Sequence, residues 1–143
     1  WKRTCPPPGL MTFDAPNREV CVARRATTNT PLQALVLLND PTYVEAARKL
    51  AERMMREGKT SEARVASGFR IAVCRDPSDE ERRVLLRILD EAAMRFQKDV
   101  GGAKKLLAVG ESPRDASIPE GELAAWTVVA STILNLDETI SKR

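Results

Sequence analysis

Leu123 to Leu136 is a run of fourteen residues without a charged side chain, broken only by the polar Thr127, Ser131, Thr132 and Asn135. It falls short of the roughly 18–20 apolar residues that span a bilayer, and no other run reaches that length. It is also too long for an ordinary strand, so it reads as a helix that is apolar on every side. Such a helix has no face to offer water, and the rest of the chain must pack around it. Trp126, midway along, is expected in the core beside Val128, Val129, Ile133 and Leu134.

The segments that have to supply this packing carry helix signals of their own. Thr30 is a natural N-cap with Pro31 at the first helical position, and Leu32, Leu35, Val36 and Leu38 form an apolar side. Asn39-Asp40-Pro41 stops that helix and starts a second, with Val44, Ala47, Leu50, Ala51, Met54 and Met55 on one face until Gly58. Thr60 or Ser61 caps a third, through Val65, Phe69, Ala72 and Val73 to the break at Arg75-Asp76-Pro77. Gly68 within it weakens the helix by about 1 kcal/mol against Ala and so marks the close approach of a neighbouring side chain. Ser78 and Glu81 form a capping box for a long fourth helix, whose apolar face runs from Val84 and Leu85 to Phe96. Gly101-Gly102 is expected to separate it from a short helix through Lys104 to Val109, and Ser117 with Glu120 to form a second capping box opening the apolar helix. The only β-leaning run is Val20-Cys21-Val22, too short to found a sheet.

The expected fold is therefore all-α, a single helical bundle of about five or six helices, spanning residues 30–143. Residues 1–29 differ in kind. Pro6-Pro7-Pro8-Gly9, Asp14-Ala15-Pro16-Asn17 and Thr27-Thr28-Asn29 break any period, which predicts an irregular Pro-rich arm packed on the bundle, with polyproline II over Pro6 to Pro8. The chain opens at Trp1 with neither initiator Met nor signal sequence, which reads as a piece of a longer protein.

Composition removes several kinds of chemistry. With no histidine in 143 residues, imidazole bases, Ser-His-Asp and Cys-His nucleophile systems, and His-ligated zinc or haem are all excluded from this stretch. Three cysteines at positions 5, 21 and 74 match no zinc spacing, and no cofactor is expected. Lys and Arg exceed Asp and Glu by 23 to 20, too small an excess to predict a nucleic-acid partner. Carboxylate groups such as Asp79/Glu80/Glu81 and Asp90/Glu91 fall on the polar side of an amphipathic helix, where charge keeps the protein soluble. Cys74, among apolar residues on a helix, is expected free and buried.

What stands out is the arm. Asp14, Arg18, Glu19, Arg24, Arg25 and Asn29 gather charges and an amide in a loop that runs into the helix start at Thr30. Two readings follow: the arginines converge on that helix start and bind an anion, or they pair with Asp14, Glu19 and Asp40 and clasp the arm to the bundle.

The same stretch carries a family resemblance. Trp1-Lys2-Arg3-Thr4, Met11-Thr12-Phe13-Asp14-Ala15-Pro16, Arg24-Arg25 and Thr28-Asn29-Thr30-Pro31-Leu32-Gln33-Ala34-Leu35 run on into Leu37-Leu38-Asn39-Asp40-Pro41, and Arg75-Asp76-Pro77-Ser78-Asp79-Glu80-Glu81 follows later. Together they closely resemble the C-terminal part of the planctomycete-specific domain family, a domain of unknown function from large multidomain proteins with cytochrome c-like domains. The resemblance implies an exported or periplasmic parent whose other domains are the first partners, with a sulfatase-like protein or a polysaccharide as further ones. An exported parent implies that Cys5 and Cys21 can pair, closing a loop of about fifteen residues worth roughly 3 kcal/mol in the chain-entropy model. The function expected is a non-catalytic interaction or structural module. The alternative is part of a hydrolase for sulfated or acidic polysaccharide, with Arg18, Arg24 and Arg25 as clamps and Asp14 or Glu19 as acid or base.

Overall fold

The computed structural model describes residues 8–16, 23 and 28–141, apart from the side chain of Pro8. Among these the chain is all-helical with no strand. Its elements are α1 (Pro8–Thr12), α2 (Pro31–Asn39), α3 (Pro41–Glu57), α4 (Ser61–Val73), α5 (Asp79–Lys98), α6 (Val100–Leu107), α7 (Glu120–Leu134) and α8 (Asp137–Ile140). Eight described helices exceed the five or six expected because α1 and α8 are single turns too short to leave a periodic apolar signature. α1 begins at Pro8, the last residue of the expected polyproline II stretch, whose Pro6 and Pro7 lie outside the described residues; proline suits a first helical turn as well as it suits an extended one.

α7 is the centre. It touches α2, α3, α4, α5, α6 and α8, and Leu123, Ala124, Ala125, Trp126, Val129, Ala130 and Ile133 are all essentially inaccessible. Each large apolar side chain buried this way contributes about 1.5–3 kcal/mol, so the run that dominates the sequence also dominates the core. α3 presents Ala47, Leu50, Ala51 and Met54 to it, α4 Val65 and Phe69, and α5 Leu85, Ala92 and Phe96. Gly68 faces Met54 and Ile133 closely enough that an added Cβ would lie 2.8 Å from the Met54 Sδ and 3.1 Å from the Ile133 Cδ1, the close approach its place in a helix implies.

The caps at Thr30, Thr60 and Ser78 form as expected, with capping boxes at Thr30/Gln33 and Ser78/Glu81. Three other expectations fail. Asp99 caps α6 by accepting from the Gly102 N–H, so Gly101 and Gly102 lie within the first turn of α6 and separate nothing. Ser117 caps no helix: its hydroxyl donates to Asp115 at 2.6 Å, while Glu120 accepts from Arg114 at 2.7 Å, so nearer partners outcompete the capping box. Cys74 is free but exposed, because α4 has already ended and Cys74 is its C-cap in the left-handed conformation, φ 60°.

Arg75, the next residue, fastens the far end of the molecule. Its guanidinium lies 5.2 Å from the Phe69 ring centroid and donates to both oxygens of Glu81, at 2.6 and 2.9 Å, and of Glu138, at 2.9 and 3.0 Å. The α4–α5 junction is thereby joined to α8. Arg75, with help from Ser78 and against some desolvation, pulls the Glu81 carboxyl from 4.5 to about 2. A pKa lowered by folding stabilises fully above the unfolded value. The protein is accordingly expected to hold its stability above about pH 4.5 and to lose part of it as pH falls towards 2, as Glu81 takes up a proton. An Arg75→Gln variant should be less stable at neutral pH with a flatter acid limb in urea titrations. An unchanged limb would show that Glu81 is not the group titrating.

Candidate functional site

α2 is a nine-residue helix with one of its two polar residues inside. Gln33 is 1% exposed. Its side-chain oxygen accepts from the Thr30 N–H at 2.9 Å, and its amide donates to the Thr12 carbonyl at 2.9 Å and to the Thr28 hydroxyl at 3.1 Å. Thr28 in turn donates from its N–H and its hydroxyl to Asp14, at 2.7–2.9 Å, and Asp14 accepts them from a left-handed backbone position, φ 58°, that Asp tolerates better than most residues. Phe13 packs on Tyr43 of α3, ring centroids 5.8 Å apart. One buried amide thus pins α1, the strand of chain before α2, and α2 itself in a fixed relation.

The pinning turns α2 over relative to expectation. Of the expected apolar side, Leu32, Leu35 and Leu38 are 57, 58 and 50% exposed and Val36 is half-buried, while only Gln33 and Leu37 are buried. The reason is that a helix of this length buries one narrow stripe, and three hydrogen bonds from a side chain that must not be left unpaired decide which stripe it is. Leu10 and Met11 of the adjoining α1 are also about half exposed, so the α1–α2 corner carries an apolar ridge. Beside it the surface drops into a recess of about 200 Å³ bounded by Leu38, Val44 of α3, Leu106 of α6 and Val128, Ser131 and Thr132 of α7. The Thr127 and Thr132 hydroxyls there donate to carbonyls one turn back on α7, at 2.8 and 3.0 Å, so two of the three hydroxyls lining the recess are already satisfied.

Of the residues singled out in the arm, Asp14 and Asn29 are described and point to different partners: Asp14 to Thr28, and Asn29 to Asp137 of α8, to which it donates at 2.8 Å. Both act as ties. Asp40, offered as a partner for an arginine, instead caps α3 by accepting from the Thr42 N–H. Arg18, Glu19, Arg24, Arg25 and the cysteines Cys5 and Cys21 lie outside the described residues.

A second polar seam holds the α6–α7 connection. Along α3, Glu45 accepts from the N–H groups of Glu111 and Ser112, Arg48 donates to the Ser112 carbonyl at 2.7 Å, Lys49 donates to the Pro113 carbonyl at 2.6 Å, and Glu52 accepts from the Asp115 N–H at 3.0 Å. Ser112 and the Glu111 N–H hold the Glu45 carboxyl below its usual range. Asp115 is pulled lower still, by Ser117 first and then by Arg56. Gly110 enters the seam at φ 94° with a Cβ position that would fall on the Glu45 carboxylate. Gly110→Ala is expected to cost at least about 1–3 kcal/mol through the left-handed backbone alone, read as a lowered melting temperature. Unaltered melting would show that the loop re-forms without Glu45.

Sequence reasoning passed over Gln33 and the inward-facing Arg48 and Glu52. Gln33 did carry a signal, since it stands three residues after the Thr30 cap, the position from which Gln or Glu closes a capping box. Arg48 and Glu52 are spaced i, i+4, but that spacing is equally that of a solvated pair.

Residues 1–89 match the sequence profile of PSD1, described as a protein of unknown function (DUF1553). The chain belongs to the PSD1 family. No curated protein and no solved structure matches it. The PSD1 match contains the ridge on α1 and α2 and the Val44 wall, yet it stops within α5 and excludes α7, on which all the matched helices from α2 to α5 pack. The PSD1-matched segment therefore completes its core only with residues beyond 89, and the recess is built from both portions.

Proposed function

We propose that this PSD1 chain is a non-catalytic docking module of a larger exported protein, of the multidomain cytochrome c-like kind its sequence resembles in planctomycetes, and that it docks through the α1–α2 ridge. The observation that carries the reading is the exposure of Leu32, Leu35 and Leu38 on a helix whose buried Gln33 fixes which side faces out. An apolar patch held rigidly at the surface, beside an apolar recess, is the usual mark of a protein contact. The electrostatics favour the same reading. The shifted carboxylates Glu45, Glu57, Glu81, Asp115 and Glu138 are all pushed down by hydrogen bonds, chiefly from arginines, serines and backbone N–H groups. A carboxyl that is to donate a proton near neutral pH needs the opposite shift. The hydrolase alternative draws on Arg18, Arg24, Arg25 and Glu19, outside the described residues, and on Asp14, which is engaged by Thr28, and no observation favours it.

A photo-crosslinking amino acid placed at Leu35 in the full parent protein tests the reading. Crosslinks to protein, from another domain or another chain, are expected on irradiation. Recovery of Leu35 peptides without any crosslinked partner would overturn it.

A further inference from the structure

The connection between α6 and α7 is fastened without a core of its own. The nearest buried apolar side chains are Leu107 before it and Leu123 after it, and none of residues 110–117 is buried. Pro113 and Ala116, the apolar residues other than glycine in that segment, are exposed. What holds the segment is one row of charged side chains on α3. Glu45 accepts from the N–H groups of Glu111 and Ser112 and Glu52 from that of Asp115, Arg48 and Lys49 donate to the carbonyls of Ser112 and Pro113, and Arg56 donates to the Asp115 carboxylate. A segment tied this way opens at low cost, because lifting it exchanges hydrogen bonds for bonds to water and exposes little apolar surface.

Two features lower that cost further. A cleft of about 560 Å³ undercuts the first half of the segment, between Gly110, Glu111 and Ser112 on one side and Thr42, Glu45 and Lys49 of α3 on the other, so solvent reaches the tethers there. Closure also buries Arg48 with its Nε and Nη1 lacking hydrogen-bond partners, a penalty relieved when the segment lifts and water reaches them.

The tethers are not independent of one another. Glu45, Arg48, Lys49 and Glu52 lie within about two turns of a single helix, and Glu52 is joined to both Arg48 and Lys49. They grip neighbouring points of a short stretch of chain, so releasing one strains the next.

We propose that residues 110–117 form a strap that opens and closes over α3 as one unit while the helical core stays folded, baring the Arg48–Glu52 pair and enlarging the cleft when open. The strap goes beyond the docking reading, and neither depends on the other.

Native-state hydrogen exchange of the chain tests it. The N–H groups of Glu111, Ser112 and Asp115 are expected to show a common protection at least about 100-fold below that of Trp126, Val129 and Ala130 in α7. Urea below the unfolding transition should speed exchange in α7 and leave the three strap N–H groups unaltered, since opening the strap exposes little surface. Glu45→Gln should lower protection at least about tenfold at all three, Asp115 included although its N–H bonds to Glu52. Lys49→Met, which removes the Pro113 tether, is the second variant and should move the same three together at least about threefold. Strap N–H groups that follow α7 in urea would show that the segment opens only with the whole protein and overturn the proposal. An Asp115 N–H that responds to neither variant would show separate loosening, and no protection in the parent chain would show a strap that never closes; each of these overturns it as well.

Discussion

Trp126→Ala is expected to destabilise the protein by about 3–5 kcal/mol, a large part of the whole stability of a domain this size. Trp126 is 1% exposed and, among the described residues, is the largest fully buried side chain. It sits on α7, facing Arg64, whose guanidinium carbon lies 5.5 Å from the indole centroid and which is held there by Glu122 at 2.9 Å and the Gly58 carbonyl at 3.0 Å. Truncation opens a cavity between α4, α5 and α7 that rigid neighbours cannot close, and Arg64 loses the ring it covers. Chemical denaturation followed by circular dichroism measures the loss. A change under about 1 kcal/mol would mean that α7 is peripheral.

The second large effect is expected at Arg48. Its side chain is 1% exposed, and the Glu52 beside it is 4% exposed. The two lie 3.5 Å apart, Nη1 to Oε1, close enough to be an ion pair but not aligned as a hydrogen bond, and the Arg48 Nε and Nη1 have no hydrogen-bond partner. What Arg48 does securely is donate through Nη2 to Ser112. Arg48→Ala should cost about 3–5 kcal/mol, because it strands a buried carboxylate and leaves the Ser112 carbonyl without its donor. The amides of Glu111, Ser112 and Asp115 should exchange faster in the variant, since the seam that fixes them is broken. Replacing both members, Arg48→Met with Glu52→Leu, should recover much of the loss, as no buried charge then remains. A small effect for Arg48→Ala would show that Lys49, 2.9 Å from Glu52, neutralises that carboxylate alone.

The sequence by itself determined what depends on near neighbours along the chain. Thr30, Asp40, Thr60 and Ser78 each start a helix because the bond a cap makes reaches only two or three residues. The central place of α7 was equally legible, since a helix without a polar side has one environment open to it in water. Gly68 announced a close contact for the same local reason: a residue that weakens its helix is tolerated where bulk will not fit.

Tertiary structure decided what depends on competition between partners distant in sequence. Ser117 lost its cap to Asp115, and the side of α2 facing inward was chosen by Gln33 reaching Thr12, twenty-one residues away. Arg48 and Glu52, whose i, i+4 spacing carries no mark of burial, are buried because the loop at 109–115, some sixty residues on, closes over them. Hydrophobic periodicity ranks faces by their average affinity for water, whereas a single buried polar group that must find its bonds can outweigh three leucines on a two-turn helix. That is why the ridge at Leu32, Leu35 and Leu38, the surface on which the proposed function rests, looked in the sequence like part of the core.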